Sequence, residues 1–202
     1  MNTIAREGGE GLGIAVVDLD AASERTASSA RLPTRPATEE AERIAVYFHT
    51  SGSSGLPKPV PVLHRHLSSV MPFAPADDGP CAAFSTTPLF HGGLTDAFRA
   101  FNATEPIHFF PLHRLPVTAA NVRRAVETAG KDVVYFFTVP YILKLLVEAD
   151  ELAMLASMRI VSTGGAPLSD ELGERLVKAG VPLVSRYGSS ECGCASSRTR
   201  RS

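Results

Sequence analysis

Thr50-Ser51-Gly52-Ser53-Ser54-Gly55-Leu56-Pro57-Lys58 follows, one residue on, an apolar run of strand length at residues 44–48. Gly52 and Gly55 open backbone conformations that a Cβ forbids and let the main chain approach a ligand closely. The hydroxyls of Thr50, Ser51, Ser53 and Ser54, with the loop amides, are suited to surround phosphate oxygens. Lys58 adds a point charge that favours a polyphosphate. The stretch is not the GxxxxGK[ST] loop, because Pro59 stands where Ser or Thr would be. Composition alone fits a solvated Ser/Gly turn equally well.

Outward from this loop, strand-like and helix-like segments alternate. Residues 81–85, 107–110, 133–137, 158–162 and 182–185 read as strands. Residues 94–103 read as a helix. Thr118 is placed to cap a helix that buries Val122, Ala125, Val126 and Ala129 and stops at Gly130. Pro140 suits the first turn of a helix burying Ile142, Leu143, Leu145 and Leu146. Ser169 is the expected cap of another, with Asp170 and Glu171 set favourably against its dipole. Strands separated by helices predict an α/β fold with a sheet covered on its faces. A further strand is expected at residues 12–19, an exposed linker at residues 21–42, and a disordered tail at 194–202.

The composition is that of a globular protein, 44% hydrophobic and 20% charged. A formal net charge of −1 gives no reason to expect nucleic acid or a membrane as partner. Three cysteines make no disulfide framework, and an odd count fits a reducing compartment. The N-terminus lacks a secretory signal, and no apolar run approaches the roughly 20 residues that span a bilayer. A cytoplasmic location is expected. Cys192 and Cys194 lack a second pair at zinc-finger spacing, so no structural zinc is expected there. His64 and His66 read as surface residues of a short helix.

The ordered string at residues 50–58 resembles the signature of the AMP-binding superfamily, the adenylate-forming enzymes that include acyl-CoA synthetases, luciferases and nonribosomal peptide synthetase adenylation domains. Pro59 departs from the usual Gly, removing a backbone donor. This Pro-Lys-Pro version is similar to that of reductase-linked, synthetase-like adenylation domains. Three further motifs follow in the family's order. Pro88-Leu89-Phe90-His91-Gly92-Gly93-Leu94 resembles the one whose His lies beside the substrate carboxylate. Ser162-Thr163-Gly164-Gly165-Ala166-Pro167-Leu168 resembles the adenine-contacting turn. Tyr187-Gly188-Ser189-Ser190-Glu191 resembles the motif in which a Tyr stacks on adenine, a hydroxyl meets the phosphate and a Glu helps hold magnesium.

The resemblance implies two catalytic residues, Lys58 and His91. It implies nucleotide contacts from Thr50, Ser51, Gly52, Ser53, Ser54, Gly55, Lys58, Gly165, Ala166, Pro167, Tyr187, Gly188 and Ser190, with Glu191 as the metal ligand. ATP and Mg²⁺ are the implied cofactors. A small carboxylic acid is the implied substrate, and coenzyme A or a carrier phosphopantetheine the implied acyl acceptor. The expected layout is an N-terminal strand and linker at 1–43, a partial AMP-binding domain at 44–193 and the tail. The family's C-terminal lid domain, with its Lys, is expected to be absent, which predicts little turnover by this chain alone. The alternative function is a non-catalytic remnant that binds nucleotide weakly or serves only for interaction.

Overall fold

The computed structural model describes residues 35–50, 56–73, 81–90 and 92–199, the last seven of these by their backbone alone. The expected strand at residues 12–19 therefore lies outside the described residues, as do Ser51, Gly52, Ser53, Ser54, Gly55 and His91.

The centre is a six-stranded sheet built from β3 (Ala82–Ser85), β4 (Ile107–Phe109), β5 (Val133–Thr138), β6 (Ile160–Thr163), β7 (Leu183–Ser189) and β8 (Gly193–Thr199). Their order across the sheet is β4-β3-β5-β6-β7-β8. All neighbours run parallel except β7 and β8. Parallel neighbours need crossovers. These are supplied by α3 (Gly92–Ala103), α4 (Ala119–Ala129), α5 (Pro140–Glu148), α6 (Leu152–Ala156) and α7 (Asp170–Lys178). A separate antiparallel ribbon pairs β1 (Ile44–Thr50) with β2 (Lys58–Leu63), and α2 (His64–Ser68) follows it. The α/β sheet covered by helices is thus present as expected.

Local chemistry sets the helix ends. The Thr118 hydroxyl accepts from the Asn121 amide at 3.2 Å, and the Ser169 hydroxyl from the Leu172 amide at 3.3 Å, each relieving one otherwise unpaired donor of a first turn. Pro140 opens α5, where its missing N–H costs nothing. In α7, Asp170 and Glu171 lie in the first turn and Arg175 and Lys178 in the last, matching the helix dipole at both ends.

Alternation along the strands divides the core in two. Phe84, Phe136, Val161 and Leu183 face Val122, Leu143, Leu146, Leu155 and Leu176 of α4 to α7. Ala83, Tyr135 and Phe137 face the opposite way, toward Ala100 of α3. Removing such side chains from water contributes about 1.5–3 kcal/mol each. The outer side of α3 is apolar as well. There Leu94 and Phe98 meet Phe48 and Val62 of the ribbon.

Two sequence expectations change. The exposed linker at residues 21–42 holds a short helix, α1 (Ala37–Ala41), whose Glu40 pairs with Arg43 at 2.9 Å. The structureless tail is instead β8 as far as Thr199, because β7 offers it a ladder to join. β2 is a strand despite Pro59 and Pro61; it borders a two-stranded ribbon, where one side needs no donors.

Candidate functional site

β3 leads through α3 to β4 on one side, whereas β5 leads through α5 and α6 to β6 on the other. The connections leave the carboxyl ends of β3 and β5 in opposite directions, which makes this the topological switch point of the sheet. Open α/β sheets bind ligands at such a switch point. Among the described residues, the six buried polar ones lie at or beside this edge: Ser85, Thr86, Asp96, Thr138, Ser162 and Thr163. Thr86 and Thr138 join their hydroxyls across the switch point at 2.8 Å. Thr163 stands next to Thr138 in register. Its Oγ1 is buried without a hydrogen-bond partner, an uncommon state for a polar atom and one that a ligand would relieve.

The turn leaving β6 contains Gly164 and Gly165. A Cβ on Gly164 would stand 3.1 Å from the Arg186 carbonyl oxygen, so this turn lies against the backbone of β7. Gly165 has φ +82°, a conformation that disfavours any side chain. Gly165, Ala166 and Pro167 then reach solvent. On the neighbouring strand Tyr187 is 72% exposed, a large ring with no packing duty. The ladder to β8 shifts register between Tyr187 and Gly188, and such bulges re-aim side chains. Tyr187, Gly188 and Ser189 belong to β7, and Ser190 and Glu191 open the turn that follows it.

Glu191 is exposed. A hydrogen bond from Ser189, and then its own backbone, hold its carboxyl below the usual range. The Ser189 hydroxyl also accepts from the Cys192 amide at 3.3 Å. Among the described residues no cluster of three His, Cys, Asp or Glu could hold a metal. A lone carboxylate fits magnesium, which keeps several waters and shares its remaining positions with phosphate oxygens. Residues 165–167 and the ring of Tyr187 are both exposed at the ends of neighbouring strands.

The structure brings Gly165, Ala166, Pro167, Tyr187, Gly188, Ser190 and Glu191 to the ends of adjacent strands. Lys58 belongs to the separate ribbon, exposed and opposite Thr50 at its loop end. Beside the position of His91, Phe90 is 79% exposed. Gly93 is fixed by contact: a Cβ there would lie 2.3 Å from the Thr87 carbonyl oxygen. Sequence reasoning missed an ion pair beneath the site. The Arg186 Nη1 donates to Asp96 Oδ1 at 2.9 Å, Ser85 donates to Oδ2 at 3.0 Å, and the guanidinium lies 5.5 Å over the Phe137 ring. These partners are separated by 90 residues, so no local pattern announces them.

A family model described as AMP-binding enzyme matches residues 5–202. A non-canonical non-ribosomal peptide synthetase, ascB of Acremonium egyptiacum, is 33% identical over 159 residues, 75% of this chain and 14% of its own length. The adenylate-forming reductase stbB of Stachybotrys bisbyi is 31% identical over 160 residues, 77% of this chain and 15% of its own. The chain thus spans a small part of these relatives. Among solved structures, o-succinylbenzoate CoA synthetase from Bacillus subtilis, bound with a product analogue, superposes with a TM-score of 0.76 at 20% identity over 96% of this chain and 39% of that one. The fold is shared with that enzyme.

Proposed function

The chain belongs to the AMP-binding enzyme family, and on that premise we propose that it supplies the nucleotide- and carboxylate-facing part of a site that makes acyl-adenylates. The observation that carries this reading is the carboxyl edge of the sheet. There an exposed aromatic ring, a glycine turn with φ +82° and a buried, unpartnered hydroxyl lie at the ends of adjacent strands. Adenine lies between Tyr187 and the main chain of residues 165–167. The Ser190 hydroxyl meets the α-phosphate, and Lys58 with the amides of residues 50–56 holds the outer phosphates.

The reaction is a displacement at phosphorus. A substrate carboxylate oxygen attacks the α-phosphorus of ATP; a P–O bond forms to the acid, and the bond to the departing pyrophosphate breaks. The chain's part is to bind, orient and neutralise. Lys58 offsets charge on the leaving pyrophosphate. His91 orients the attacking carboxylate by hydrogen bonding. Glu191 is the residue that would hold magnesium, which supplies charge neutralisation on the phosphates when bound. Passage of the acyl group to a thiol, of coenzyme A or of a carrier phosphopantetheine, is the second half of the proposal. A cytoplasmic location fits it; among the described residues no helix is long and apolar enough to cross a membrane.

The test is calorimetric titration of the chain with ATP, followed by pyrophosphate exchange into ATP with a panel of aromatic, aliphatic and amino acids. ATP binding that Tyr187→Ala weakens supports the nucleotide half. Acid-dependent exchange supports the chemistry. Absence of ATP binding overturns the reading.

A further inference from the structure

We propose that Asp96 is a positioning residue that holds the carboxylate-side loop and the adenine-side strand in fixed relation, an inference that rests on the site proposed above. Its carboxylate is a three-way junction. Through Oδ2 it accepts from the Ser85 hydroxyl at 3.0 Å, and that hydroxyl in turn accepts from the Thr87 amide at 3.1 Å. Thr87 begins the loop that runs to Phe90 and on to His91. Through Oδ1 the same carboxylate accepts from Arg186 at 2.9 Å, and Arg186 directly precedes Tyr187. Asp96 itself sits in the first half of α3, with only 1% of its surface exposed.

The geometry makes the junction rigid. Arg186 is held by Asp96 at one end and by the Phe137 ring beneath its guanidinium, and its carbonyl oxygen marks where a Cβ on Gly164 would meet the chain. The rotation of Arg186 therefore fixes where β7 presents Tyr187 and how closely the Gly164–Gly165 turn approaches it. On the other side, the Ser85 hydroxyl uses its proton on Asp96 and a lone pair on Thr87. The exit of β3 is thereby set by the same carboxylate. Two surfaces that must meet a nucleotide and an acid at a fixed spacing are tied to a single side chain. A buried ion pair is weak evidence for stability and better evidence for a specific arrangement.

The test separates the two arms. Hydrogen exchange is followed in Ser85→Ala, Arg186→Met, Arg186→Lys and Asp96→Asn, together with ATP affinity by calorimetry. Arg186→Met is expected to speed exchange at residues 187–192 and to weaken ATP about tenfold, the middle of the range for residues in one hydrogen-bond network. Ser85→Ala is expected to speed exchange at residues 87–90 while leaving ATP affinity within about twofold. Arg186→Lys keeps the charge and restores most of the protection. Asp96→Asn loosens both segments; should it not fold, the two single-arm variants decide. Uniformly faster exchange through β5 and β6 in every variant, or no segment-specific change in any, overturns the proposal. A wild-type chain that fails to bind ATP overturns the proposed site, while the exchange pattern still decides the role of Asp96.

Discussion

Replacing Tyr187 with alanine should cost nucleotide affinity and almost nothing else. The ring is 72% exposed and lies on the outer half of β7, where the strand residues are no longer buried. Its removal leaves no cavity, so the folding penalty should stay within about 0.5 kcal/mol. For a chain of this size that is about 1–2 °C in Tm. Stacking of a base on an aromatic side chain contributes about 1–3 kcal/mol by alanine substitution. At 1.4 kcal/mol per factor of ten, ATP should bind about 5- to 150-fold more weakly. Tyr187→Phe keeps the face and should bind within about twofold of wild type. The assay is calorimetric titration with ATP, and with ribose triphosphate as a ligand lacking the base, which should barely distinguish the variants. Unchanged ATP affinity in Tyr187→Ala would refute the stacking argument. A Tm loss beyond about 5 °C would show instead that the ring serves the fold.

In the full-length enzyme, Lys58→Ala, at an exposed position, should slow adenylate formation by roughly ten- to a thousandfold without lowering Tm, as when one charge-stabilising donor is lost; wild-type pyrophosphate exchange in the variant would refute its role. Gly93→Ala drives a Cβ to 2.3 Å from the Thr87 carbonyl and should cost about 1–3 kcal/mol in denaturant unfolding, more than Gly165→Ala, where φ is strained but the nearest atom is 3.9 Å away. Ser189→Ala removes the largest cause of the depressed Glu191 carboxyl, so an NMR titration should show its midpoint rising toward the ordinary carboxylate range. The sign follows from the direction of the shift: Glu191 prefers its charged form in the fold. The stabilisation it gives is present above the ordinary carboxylate range and fades as pH falls through its lowered value.

Much of the sheet was legible because its signals are local. The apolar run that became β5, the Thr118 and Ser169 caps and Pro140 at the head of α5 each act within a few residues. The elements that escaped depend on distant partners. β2 carries two prolines that argue against a strand until β1 is known to pair with it on one side. β8 draws on β7, not on its own propensity. Tyr187 is legible from its motif, but nothing in residues 187–189 foretells that the β7 ladder continues through them. The Asp96–Arg186 pair and the Thr86–Thr138 contact join segments 90 and 52 residues apart. Each side chain taken alone reads as an ordinary surface polar group.

A second place where a nucleotide could lodge is a cavity of about 360 Å³ behind the sheet, lined by Phe84, His108, Asn121 and Arg124. Photolabelling with 8-azido-ATP followed by peptide mapping decides between the two. A nucleotide site at the carboxyl edge gives labelled peptides containing residues 164–168 or 187–191, with labelling abolished by excess ATP. Label confined to residues 108–129, or label that ATP does not displace, would contradict a nucleotide site at the carboxyl edge.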